Sequence, residues 1–174
     1  MAVILLRIPT GKTTWVEGES RLYKFEKLLL VEQVSYEVEV ESELHLEGRR
    51  TVHAPHLSSV TLERRMDMGS AEITRSLLST RVSKYPWELY FFKAAGGGVV
   101  KEGESAHPVH FMTMKLHRAL IRHQTISAED DGDIMETLEV GAAAVQWEYT
   151  AFSSEQRARG KAGFTFDVQV GRVL

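Results

Sequence analysis

The sequence predicts a mainly β fold, a barrel or sandwich of antiparallel sheets with one short α-helix and an extended hairpin loop. Three observations predict it: runs in which apolar and polar residues alternate, one segment that breaks this period, and turn residues between the runs. With 174 residues, 43% of them hydrophobic, a single domain over 1–174 with one sizeable core is expected, without help from disulfides or metal.

The elements follow in order. Met1 to Arg7 reads as a first strand; its apolar run is too short for the core of a signal peptide, and no basic segment precedes it. Val34, Tyr36, Val38, Val40, Leu44 and Leu46 then alternate with Glu37, Glu39, Glu41, Glu43 and Glu47. This is the clearest period of two, and it predicts a strand with one buried and one wet face. Val60 and Leu62 alternate with Thr61 and Glu63; Trp87, Leu89 and Phe91 with Glu88 and Tyr90; Val145, Trp147 and Tyr149 with Gln146, Glu148 and Thr150. Phe164, Phe166, Val168 and Val170 mark the last strand, and Pro108 to Leu120 is extended with a less regular pattern. Between them Ser70 is placed as an N-cap, Glu72 suits the positive helix end, and Ile73, Leu77 and Leu78 fall at helical spacing, so a helix is expected from Ser70 to about Arg81. Pro9 to Gly11, Gly48, Pro55, Gly96 to Gly98, and Ala128 to Asp133 mark turns. Glu41 to His56 is polar and should project as a long hairpin loop.

Composition narrows the function classes. Lys and Arg total 21 against 24 Asp and Glu, a net charge of -3, so no overall field would draw in nucleic acid or an anionic membrane. The absence of cysteine removes disulfides, thiol nucleophiles and thiolate metal sites. No apolar run is long enough to span a bilayer, so a soluble protein made in the cytosol is expected, and export would need a machine that uses no cleaved signal.

The candidate chemical sites are weak. Gly11-Lys12-Thr13 has the end of a phosphate-binding loop, but Leu6 stands where its first glycine should be, so a strand-to-loop turn is the better reading. His53 and His56, and His107 and His110, share one spacing, yet without three or four convergent ligands they read as solvated loop histidines. Glu129, Asp130, Asp131 and Asp133 lack the register of a calcium loop. Ser153 and Ser154 lack a nucleophile frame, so neither an enzyme nor a bound cofactor or metal is expected. Trp87, Phe91, Trp147 and Tyr149 are assigned to the core rather than to a ligand platform. The row Glu37, Glu39, Glu41 and Glu43 leaves two readings open: a solvated face, or a lumen lining or subunit contact that meets Arg49, Arg50, Arg64 or Arg65 of a neighbour.

The order of these features resembles the haemolysin-coregulated protein (Hcp) family. Val16-Glu17-Gly18-Glu19-Ser20 is similar to the family's early Gly-Glu-Ser motif, and the apolar strand Leu28 to Tyr36 and a polar extended loop follow it. Ser58 to Met66 resembles the strand leading into the family's one substantial helix, where Ser70 to Leu78 stands, and Pro86 to Gly98 resembles the strand and turn after it. Val145-Gln146-Trp147-Glu148-Tyr149-Thr150 is similar to the late Trp-x-Tyr-Thr strand, and Gly163 to Val168 to the closing strand. The strand ending in Glu43 and Glu47 is more acidic than the family pattern, and Val99 to His107 extends the turn after the glycines.

The resemblance implies a β-barrel of two antiparallel sheets that builds hexameric rings, stacked as the inner tube of a type VI secretion system. The implied partners are further copies of the chain, a spike protein of the valine-glycine repeat type, contractile sheath proteins and small effectors carried in the lumen. No nucleic acid and no membrane insertion is implied. A head-to-tail contact that closes makes a ring, and one that does not close makes a filament. On this reading the loop Glu41 to His56 reaches an adjacent subunit or ring, with Glu41, Glu43, Glu47, Arg49, Arg50 and His53 as interface residues. The alternative is a monomeric barrel that binds a small ligand inside.

Overall fold

The computed structural model describes residues 3–44, 48–93, 108–128, 132–152 and 158–174. Expectations for Met1, Ala2, Leu46, Glu47, Gly96 to Gly98, Val99 to His107, Glu129 to Asp131, Ser153 and Ser154 lie outside these residues. The strands in chain order are β1 (Val3–Arg7), β2 (Leu29–Val31), β3 (Gln33–Ser35), β4 (Val38–Glu39), β5 (Ser42–Leu44), β6 (Arg50–Val52), β7 (His56–Leu57) and β8 (Val60–Arg65). After the helix α1 (Ser70–Leu78) come β9 (Trp87–Lys93), β10 (Val109–His117), β11 (Leu120–Ala128), β12 (Ile134–Gly141), β13 (Ala144–Phe152), β14 (Ala158–Asp167) and β15 (Arg172–Val173).

The fold is mainly β with one short helix and an extended hairpin, as expected. A seven-stranded sheet has the order β15-β14-β13-β10-β9-β1-β2 and a four-stranded sheet the order β11-β12-β8-β3. Among the described residues these sheets do not close into a barrel. Their facing sides share one core, to which Leu6, Leu29, Trp87, Leu89, Met114, Leu116, Val145 and Phe166 contribute from the first sheet, and Val60, Leu62, Ile121, Leu138 and Val140 from the second. Each is a period-two position, so one face of every central strand leaves water. Ile73 of α1 enters the same core.

The other face of the large sheet is covered locally by the loop after β1. Leu5 and Phe92 pack there with Leu28, Leu22 and Phe25. Pro9 and Trp15 form a bridge, and the Thr14 carbonyl accepts the N–H groups of Thr10 and Gly11 at 2.9 and 3.2 Å. Gly11-Lys12-Thr13 is thus part of a turn in which the Gly11 N–H is already used.

Several boundaries differ from expectation. The helix ends at Leu78, and Ser70 is not its side-chain cap: its buried hydroxyl is held by Asp67, Arg64 and Glu136. Leu78 is exposed, so of the three apolar helix positions expected to be buried only Ile73 and Leu77 face the core. Pro108 to Leu120 is not one extended unit, because the chain reverses at Arg118, where φ is 52°, and returns as β11. The last strand stops at Asp167, whose Oδ1 accepts the N–H groups of Gln169 and Val170 in a turn completed by Gly171 at φ 69°.

Candidate assembly interface

The predicted strand from Val34 to Leu46 is three shorter strands. β3 pairs with β8 through Ser35 opposite Thr61, and then the pairing partner changes. Ser58 donates its N–H to the Glu37 carbonyl at 2.9 Å, and the Ser58 hydroxyl accepts the Glu37 N–H at 2.8 Å. From that clamp onward the chain leaves the sandwich. β4 pairs with β7 and β5 with β6, giving a two-stranded arm over residues 37–57.

Among the described residues, the face of this segment expected to be buried is exposed. Val38 is 62% exposed and Leu44 71%, and Val40 and Val52 are also exposed, while Glu37, Glu39, Glu41 and Glu43 occupy the alternate positions. The alternation is genuine, but the four-stranded sheet ends at β3, and among the described residues nothing covers the apolar side. A sustained apolar stripe in water is unfavourable and marks an interaction surface.

Glu41, Glu43, Arg49, Arg50 and His53 all sit on this arm and are exposed. The ladder places Glu43 opposite Thr51 and Leu44 opposite Arg50, and the His53 N–H donates to the Glu41 carbonyl at 2.9 Å. The structure thus brings these residues together by backbone pairing and leaves their charges outward. Glu47 lies outside the described residues. His53 and His56 line a shallow recess with Glu39 and Glu41; among the described residues no group of three or more such side chains is placed to hold a metal ion.

Arg64 and Arg65 are not available to a neighbour's carboxylates as expected. Arg64 is fully buried and forms an ion pair with Glu136, also fully buried. Its Nη2 lies 2.6 Å from Asp67 Oδ2, an ion pair without hydrogen-bond alignment, and its Nε donates to the Leu30 carbonyl at 3.3 Å. The Ser70 hydroxyl donates to Glu136 at 2.8 Å, and Gln124 Nε2 donates to its second oxygen at 2.8 Å. This network pins α1 to the four-stranded sheet. Arg65 is engaged by Glu32 at 2.7 Å and Asp133 at 2.5 Å. The signal for Arg64 and Glu136 was in the sequence: each shares the parity of core residues, Val60 and Leu62 in one strand, Leu138 and Val140 in the other. Opposite charges at two core-parity positions are stable only if they meet.

The four aromatic residues assigned to the core divide. Trp87 is buried, and Phe91 and Trp147 are half-buried against the main core. Tyr149 is the correction: along one face of β13 exposure rises from 1% at Val145 to 44% at Tyr149, because the strand runs past the end of the sandwich. Trp147 stacks on Phe164 at 4.7 Å between ring centroids, and its Nε1 donates to the Tyr36 hydroxyl at 3.1 Å. Phe164 is itself exposed, so an aromatic ledge marks the end of the large sheet where the arm departs.

On the outer face Glu88 pairs with Arg7 and accepts the Tyr90 hydroxyl at 2.5 Å. Burial, then the Glu88 carboxylate, pushes the Tyr90 phenol well above its ordinary range. His110 lies among Phe25, Tyr90 and Phe92, which lowers its pKa, chiefly by desolvation. Its Nε2 is 3.0 Å from the Met112 carbonyl, which can only accept, so this nitrogen carries the proton.

Among the described residues, an arm with an uncovered apolar side and an exposed sheet end are surfaces suited to contact with another chain. The pattern of the family described as "Type VI secretion system effector, Hcp" matches residues 6–149, and the chain belongs to this Hcp family of type VI secretion proteins. Its fold is similar to that of "Structure of a type six secretion system protein", at 16% identity and TM-score 0.82 with all of both chains covered. Hcp1 from Salmonella typhimurium is similar at 17% identity and TM-score 0.74, over 99% of each chain. The secreted protein Hcp3 from Pseudomonas aeruginosa is similar at 11% identity and TM-score 0.61, over 96% of this chain and 98% of that one. No curated protein sequence matches significantly. Among the described residues no helix is long and apolar enough to cross a membrane.

Proposed function

We propose that this chain is a structural tube subunit that closes into hexameric rings, which stack as the inner tube of a type VI secretion system. The tube travels out of the cell without a cleaved signal, meets a valine-glycine repeat spike and contractile sheath proteins, and carries small effectors in its lumen. The observation that carries this reading is the arm over residues 37–57, whose Val38, Val40, Leu44 and Val52 have no cover among the described residues. Membership of the Hcp family supports the same conclusion.

The small-ligand barrel is less well supported. Among the described residues, one recess between the sheets, lined by Leu57, Ser59, Val60, Arg122, Val140 and Val145, holds about 90 Å³. Small-molecule sites usually enclose roughly 300–1,000 Å³.

Negative-stain imaging of the purified protein tests the proposal: sixfold rings and short stacks are expected, and uniform single-subunit particles would reject it. Charge reversal at Arg49 and Arg50 should shorten the stacks.

A further inference from the structure

Among the described residues the large sheet ends in an edge that is mostly bare. β15 covers β14 only at Phe166 and Asp167, and the Leu174 N–H donates to the Thr165 carbonyl at 2.8 Å. In an antiparallel strand both backbone groups of a residue point to the same side, and the side alternates. Lys161 and Gly163 share the parity of Thr165, so their N–H and C=O groups face the open side. Such an edge is a template for another strand. Beside it runs a groove of about 380 Å³ lined by Trp147, Glu148, Lys161, Phe164, Thr165 and Leu174. Arg159, Lys161 and Arg172 are exposed there, and among the described residues none of them meets a carboxylate of its own chain.

The arm has the complementary edge. The Glu37 and Glu41 carbonyls are used by Ser58 and His53, so the backbone groups of Val38, Val40, Ser42 and Leu44 face away from the hairpin partner. Resting on the tube-subunit reading, we propose that the arm of one copy adds as a parallel strand to the open edge of β14 in the next copy. In that orientation the residue beside each outward-facing position of β14 is a hairpin-facing position of the arm. Both faces of the extended sheet then agree. The acidic side of the arm, Glu37 to Glu43, lies on the face of Lys161 with Arg159 and Arg172 close by, and Val38, Val40 and Leu44 lie on the face of Phe164. The other long edge, β11, is a poorer receptor, because α1 packs against it through Thr74 and Gln124 at 3.1 Å.

The test is a charge swap followed by sedimentation velocity across a concentration series of the full chain. Arg159→Glu with Lys161→Glu should raise the concentration for half-assembly at least tenfold while leaving the far-UV circular dichroism unchanged. Adding Glu39→Lys and Glu41→Lys to that same chain should restore assembly. Lys161→Pro, which removes an outward N–H and no ladder bond, should also block it. The arm–edge pairing is overturned if the reversed edge assembles like wild type, or if the swapped chain is not rescued. A folded wild-type chain that never assembles would instead sink the tube-subunit reading beneath it.

Discussion

Replacing Arg64 by Met removes the one positive charge that balances two buried carboxylates. Glu136 has no exposed surface and Asp67 very little. Removing one partner of a buried ion pair costs about 3–5 kcal/mol, mainly because the remaining charge stays desolvated. Ser70 and Gln124 still donate to Glu136, which places the expected loss near the lower end, about 3 kcal/mol. With an m-value of about 2 kcal/mol/M in urea, the unfolding midpoint should fall by roughly 1.5 M, measured at one fixed protein concentration. Glu136→Met added to Arg64→Met should recover much of the loss, since similar-sized apolar side chains then fill the space. Amide exchange in α1 should rise in the single variant, because the helix is held through Ser70. A midpoint within about 0.25 M of wild type for Arg64→Met would refute the reasoning.

Three further outcomes are expected. Val38→Ser with Leu44→Ser should change subunit stability by less than about 0.5 kcal/mol in urea titrations of the dissociated protein, yet abolish assembly in light scattering, because both side chains are exposed only in the single copy. His110 has a folded pKa below its ordinary 6.5, so the neutral ring is favoured in the fold. The stability this gives is complete above about pH 6.5 and is lost as the pH falls toward and past the folded value, so urea midpoints between pH 7.5 and 5 should drop less in His110→Gln. Contacts among exposed charges are screened by salt, so ring stacking should decline as ionic strength rises while ring closure persists, as electron microscopy of a salt series would reveal.

Strands whose inner face carries an unbroken apolar run were legible: β8, where Arg64 comes only after Val60 and Leu62, β9 with Trp87, Leu89 and Phe91, and β13 with Val145 and Trp147. β12 was not, because Glu136 sits on its core face and interrupts Met135 to Val140 as a pattern. β11 was hidden for a different reason, as most of its residues face water and leave no period to read. Periodicity reports that a face must be covered but not by what. For Val38, Val40 and Leu44 it correctly marked a strand with one apolar side, and nothing local could reveal that no described residue covers it. The same limit misplaced Tyr149, which keeps core parity beyond the end of the core. The interface candidates Glu41, Glu43, Arg49, Arg50 and His53 were placed on one projecting loop by composition and turn residues, and the structure puts them on one arm. The receptor edge at Lys161 and Gly163 was invisible, since an unpaired strand edge is a property of sheet order and leaves no mark on residue type.

The central claim is that the arm exists to be covered by another copy. Hydrogen exchange of the Val38, Val40 and Leu44 amides, followed from dilute to concentrated protein, addresses it directly. These N–H groups face away from the hairpin partner, so they should exchange quickly in the dilute protein and become protected as particles of six times the 19.7 kDa subunit mass form. Equal, fast exchange at every concentration, with the mass fixed at one subunit, would contradict the account.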